Sequence, residues 1–170
     1  VLLIVLVGAI GVGSFLFHTV ATRWAALADV IPIQLFILSY LALTLRRFFS
    51  LGWPAAVGIA VLFVPAAVAV RWLVAGLGLG GWGATTGYLT AALALAVSAA
   101  LLVLRNHPAG RPLAGATLLF LVSLTFRSLD QPLCDVFPLG THFMWHILNG
   151  ILLGWLVLTM IRHGAPAAPR

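Results

Sequence analysis

Five histidines and only three acids occur in the 170 residues, and three of the histidines fall where metal chemistry would use them. His142 and His146 stand in the run Thr141-His142-Phe143-Met144-Trp145-His146. In a helix this His-x-x-x-His spacing sets both imidazoles on one face, about one turn apart, where they can share a metal ion. His18 ends another apolar run, one helical turn beyond Ser14 and on the same face as Gly11. Three neutral imidazoles with a fourth position left to water form the donor set of a catalytic zinc site, whereas structural zinc is closed by four protein ligands, often cysteines. The single cysteine, Cys134, excludes an internal disulfide and a cysteine zinc cluster. Asp29 follows shortly after His18 and could orient or deprotonate a water on the metal, while Ser14 could donate a hydrogen bond to an oxyanion.

Each of these residues also has a plainer reading. An intramembrane histidine is commonly a packed, hydrogen-bonded bundle residue. Asp29 could be the N-cap of the helix that follows it, with Pro32 tolerated in the first turn. Ser14 could bond back to a helix carbonyl. Metal is favoured because ionisable groups are expensive in a membrane, and these five polar residues recur at compatible depth in a chain that has few others. Haem would place histidine pairs near opposite sides of the hydrophobic core and would leave Ser14 and Asp29 idle. His107 and His163 lie in arginine-rich connections and need no special role.

The elements that must position these residues are membrane helices. Hydrophobic residues make up 63% of the chain and charged residues 7%, with a mean hydropathy of +1.18, and so little polar surface cannot cover a water-soluble core. Apolar runs between Arg, Pro and Gly clusters predict an all-α integral membrane protein with six transmembrane segments, over residues 1–20, 30–45, 54–74, 84–104, 113–129 and 142–161. The net charge of +6 comes entirely from arginine. These arginines stand at segment ends rather than in a basic patch with interleaved aromatics, so nucleic acid is not an expected partner. Arg46, Arg47, Arg105, Arg111, Arg162 and Arg170 share one side without an acid, and the other side holds Arg23, Arg71 and Arg127 with all three acids. The positive-inside rule then puts the C-terminus in the cytoplasm and the histidine cluster toward the outside.

Smaller features complete the reading. Gly76, Gly78 and Gly81 imitate a dinucleotide fingerprint, but without a strand and a soluble sheet they are expected to form an interhelical loop. Gly150 and Gly154 form a GxxxG surface suited to close helix contact. Arg127 and Asp130 make an i, i+3 pair that could brace the last connection or serve as a weak interfacial ion pair. Residues 1–163 are expected to form one bundle domain and 164–170 a disordered tail. A chain beginning with Val inside an apolar run is expected to lack its true N-terminus.

Ser14-x-x-x-His18, then Asp29, then His142-x-x-x-His146 resembles the CREST superfamily, which groups alkaline ceramidases, progestin and adiponectin receptors with hemolysin III-like proteins, and GPI-remodelling membrane hydrolases. The short interval from His18 to Asp29 favours the hydrolase branches. The stretches Phe126-Arg127-Ser128-Leu129-Asp130-Gln131-Pro132-Leu133-Cys134 and Pro138-Leu139-Gly140-Thr141-His142-Phe143-Met144-Trp145-His146-Ile147-Leu148-Asn149-Gly150 look like the alkaline ceramidase type, particularly its bacterial members. The resemblance implies a seven-helix bundle lacking its first helix here, Zn2+ on His18, His142 and His146, Asp29 activating the zinc-bound water, and Ser14 helping to stabilise the oxyanion. The substrate it implies is ceramide or a related N-acyl lipid, cut to a fatty acid and a long-chain base. Alternatives within the superfamily are a receptor with structural zinc and a phospholipid or GPI-lipid hydrolase. The acidic calcium-binding region of eukaryotic ceramidases has no counterpart in these residues, and neither has a cysteine to pair with Cys134. Arginine without lysine, and abundant Ala and Gly, suggest a GC-rich bacterium and its inner membrane.

Overall fold

The computed structural model describes residues 1–78 and 85–164. These residues form six α-helices and no strand: α1 Leu2–Val20, α2 Arg23–Arg47, α3 Trp53–Gly76, α4 Thr86–Leu104, α5 Gly110–Leu133 and α6 His142–His163. Each helix is long and apolar enough to cross a bilayer, so the protein is an all-α, multi-pass membrane protein by length and composition. Exposed side chains such as Phe15, Leu62, Trp72 and Leu104 are apolar, as suits helices that have lipid for a solvent and satisfy their backbone internally. The predicted tail beyond Gly164 and most of the predicted glycine-rich loop lie outside the described residues.

Four segments begin and end within two residues of the apolar runs that predict them. The other two, 30–45 and 113–129, are too short as predicted. α2 begins seven residues earlier, at Arg23, and α5 extends three residues before and four beyond its apolar run. The 25 residues of α2 span about 37 Å at about 1.5 Å per residue, more than the roughly 30 Å of hydrocarbon. Its polar start can therefore lie at the interface, with Arg23 reaching toward headgroups.

The contacts of the chain gather into two units, Val1–Val61 and Leu62–Arg170. In the first, α1 and α2 form a tight antiparallel hairpin. Ala21 ends α1 in the left-handed conformation (φ 51°) while its N–H donates to the Phe17 carbonyl at 3.0 Å, and Thr22 is extended before α2 starts. Gly13 is buried where a Cβ would overlap the Ala28 carbonyl and come within 2.9 Å of the Asp29 nitrogen. The sequence of α2 explains this contact: Pro32 has no N–H, so the carbonyl four residues before it, that of Ala28, has no helical donor there. That carbonyl is the group packed against Gly13.

In the second unit α4, α5 and α6 pack in order. The α4–α5 connection is compact: Asn106 takes a left-handed conformation (φ 53°), the His107 N–H donates to the Leu102 carbonyl at 2.9 Å, and Gly110 lies close against the backbone of Leu102 and Val103. Leu102 and Leu113 are fully buried beside this turn. At the other end of α4, the Ser128 hydroxyl of α5 donates to Thr85 Oγ1 at 3.1 Å.

Candidate metal centre

His142 and His146 stand on the first turns of α6 as their spacing predicts. Their ring centroids are 4.8 Å apart and the rings meet edge to face at 78°. Helix starts leave backbone N–H groups without intrahelical acceptors, and here α5 supplies one. Asp130 Oδ1 accepts the N–H of Thr141 at 2.7 Å and that of His142 at 2.9 Å. A carboxylate at this position also complements the positive end of the helix dipole. Its second oxygen lies 3.8 Å from His142 Nδ1.

Further contacts from α5 fix the same end of α6. The Thr141 hydroxyl donates to the Phe126 carbonyl. The Ser123 hydroxyl, fully buried, is 3.1 Å from Asn149 Oδ1 and 3.4 Å from the Trp145 carbonyl. Arg127 extends its guanidinium over the rings of Trp145 and Tyr88, at 4.8 and 5.6 Å from their centroids, and those two rings are themselves 5.0 Å apart. Cation–π contacts of this kind are worth roughly 0.5–2 kcal/mol, more when water is excluded. The last turns of α5 thus set the position and rotation of the turns that carry both histidines.

Two expectations about this region are corrected. Arg127 and Asp130 do not pair: the half-buried guanidinium lies over the Trp145 and Tyr88 rings, while the carboxylate accepts the two N–H groups at the start of α6. Nor is the GxxxG surface a close helix contact, since a Cβ at Gly150 or Gly154 would meet nothing within 4 Å. α5 and α6 approach instead at Gly115, where a Cβ would come 3.0 Å from the Trp155 indole.

In the first unit, His18 is in the last turn of α1 and exposed, with its ring tilted against Phe17 at 5.5 Å. Ser14 lies one turn earlier on the same face. Asp29 is inside α2 and not at its start, so it is no N-cap; Thr22 occupies that position. The Gly13 contact brings the Asp29 backbone beside the residue preceding Ser14, which sets Ser14 and Asp29 at one level of the hairpin. Cys134 is exposed and its thiol lies 3.1 Å from the Asp130 carbonyl.

Composition and spacing did not single out Ser123 or Thr141, because their roles depend on which turn of α5 faces α6; Trp145, whose place near a segment end suits an interfacial aromatic belt, is instead buried against Tyr88 and Phe120. No protein-family model, curated protein or solved structure matches the chain.

Proposed function

We propose that the chain is a zinc-dependent membrane amidase that hydrolyses the amide bond of ceramide or a related N-acyl lipid to a fatty acid and a long-chain base. The observation that carries this reading is the His142–His146 pair on the first turns of α6, whose ring centroids lie 4.8 Å apart; His18, in the last turn of α1, is the proposed third ligand. An all-imidazole donor set of three suits zinc with a position left for water. When bound, the ion supplies a Lewis acid that polarises a carbonyl and lowers the pKa of water toward neutrality.

The remaining chemistry falls to the chain's own residues. Asp29 takes a proton from the attacking water, and Ser14 donates a hydrogen bond to the amide oxygen as it gains negative charge. Collapse of the addition product breaks the C–N bond, and the proton passes to the departing nitrogen, so one water is consumed and a carboxylic acid and an amine leave. The apolar helices offer acyl and sphingoid chains an environment they prefer to water. The arginine distribution supports a cytoplasmic C-terminus with the histidines toward the outer side of the membrane.

Fluorescent ceramide and its ester analogue, with identical chains, test the reading on the purified protein. Release of fatty acid from the amide, lost in His146→Ala with the helical circular-dichroism signal unchanged, is the expected result. Cleavage of the ester alone would make the chain a phospholipid or GPI-type hydrolase. A metal-loaded protein that turns over neither would overturn the enzymatic reading in favour of a receptor with structural zinc.

A further inference from the structure

Asp130 meets His142 in two ways. One carboxylate oxygen accepts the His142 backbone N–H, and the other faces the Nδ1 edge of its ring at 3.8 Å. We infer that Asp130 is a positioning residue for the metal centre, acting through His142; this rests on the proposed metal site.

The carboxylate is itself held in place. Its Oδ1 is fixed by two backbone donors, Thr141 and His142, and Arg127, one turn earlier on α5, lies over Trp145 and Tyr88. Gly140, with φ +62°, passes so close that a Cβ there would collide with Asp130 Oδ1. The second oxygen is therefore presented to the Nδ1 edge of the His142 ring, with Nε2 on the opposite edge as the proposed ligand atom. A histidine that ligates a metal commonly donates its other ring N–H to a carboxylate, and this fixes the ring and raises its basicity.

A helix-capping role alone would need only one oxygen acceptor, and this separates the two possibilities. Asp130→Asn keeps an acceptor for the two N–H groups but removes the charge and the second carboxylate oxygen; Asp130→Glu keeps both, displaced by one methylene. Zinc affinity is measured on the whole protein in nanodiscs by competition with a chromophoric chelator, beside thermal unfolding. The expected result is a roughly 10–100-fold weaker affinity in Asp130→Asn, an intermediate value in Asp130→Glu, and unfolding of the zinc-free forms at similar temperatures. An Asp130→Asn affinity within about twofold of the parent would overturn the inference, as would equal affinities in the Asn and Glu variants if the Asn variant is hard to fold. A parent protein that takes up no zinc would instead sink the metal site itself.

Discussion

Asp130 and His142 meet across the α5–α6 connection through a 2.9 Å hydrogen bond from the His142 N–H and a 3.8 Å approach of the second carboxylate oxygen to Nδ1. One side chain at the end of α5 thereby fixes the backbone of a candidate ligand and faces its ring. The rotation of α6, and with it the placement of His146 one turn on, follows from the same contact together with Arg127 over Trp145.

Gly140 guards this arrangement. Its positive φ disfavours any L side chain, and an added Cβ would displace the Asp130 carboxylate. Gly140→Ala should weaken zinc binding in the same direction as Asp130→Asn and lower the unfolding free energy by about 1–3 kcal/mol. Chelator competition and denaturant unfolding check both effects; a variant with parental affinity would show that the carboxylate can move without consequence.

The α1–α2 hairpin makes a sharper contrast among glycines. Gly13→Ala places a methyl group into the Ala28 carbonyl, whereas Gly8 and Gly11 have nothing within 4 Å of a Cβ. Overpacking of this kind is worth about 1–3 kcal/mol. Gly13→Ala should unfold earlier and lose hydrolysis because Asp29 moves away from Ser14, while Gly11→Ala should match the parent in both measurements. Equal thermal stability of the two variants would contradict the hairpin register.

Ser123 ties α5 to α6 through Asn149 and the Trp145 carbonyl. In a bilayer such interhelical bonds average about 0.6 kcal/mol and reach about 1.7 kcal/mol. Ser123→Ala should therefore destabilise modestly, and the Ser123→Ala, Asn149→Ala double mutant should lose less than the sum of the singles. Full additivity in steric-trap or denaturant unfolding would mean that the two side chains do not interact.

His107 provides a pH test at residues other than the candidate metal ligands. Burial first, and the nearby His163 second, hold its imidazole below the ordinary histidine value, and the Ala109 N–H donates to its Nδ1 at 3.1 Å, a bond only an unprotonated nitrogen accepts. The folded chain then takes up this proton less readily than the unfolded chain. The contribution to stability is full above the unfolded value of about 6.5 and is lost as pH falls through the folded value. An NMR titration should place His107 below a free histidine, and the difference in unfolding temperature between parent and His107→Ala should shrink on acidification. A titration midpoint at or above the free value would refute this.

Much of the fold was legible because the period and length of apolar runs determine membrane helices almost alone. The largest misjudged boundaries are at Arg23–Asp29 and Asp130–Leu133, where polar side chains and Pro132 suggest a loop while the helix continues. The candidate ligands were legible from spacing within one helix, as with His142 and His146. Asp130 was visible only as a neighbour of Arg127, because its real partners lie on the next helix. Gly11 drew attention by its place on the Ser14 face, yet Gly13 makes the close contact, and that depends on the carbonyl left free by Pro32 in the facing helix.

The most direct test of the account is elemental analysis of the full-length protein purified without added metal, with ceramide hydrolysis assayed on the same samples, for the parent and for His18→Ala. The account predicts about one zinc per chain and amide cleavage in the parent, with both lost in the variant. A parent without stoichiometric metal, or a His18→Ala variant that keeps its zinc and its activity, would contradict it.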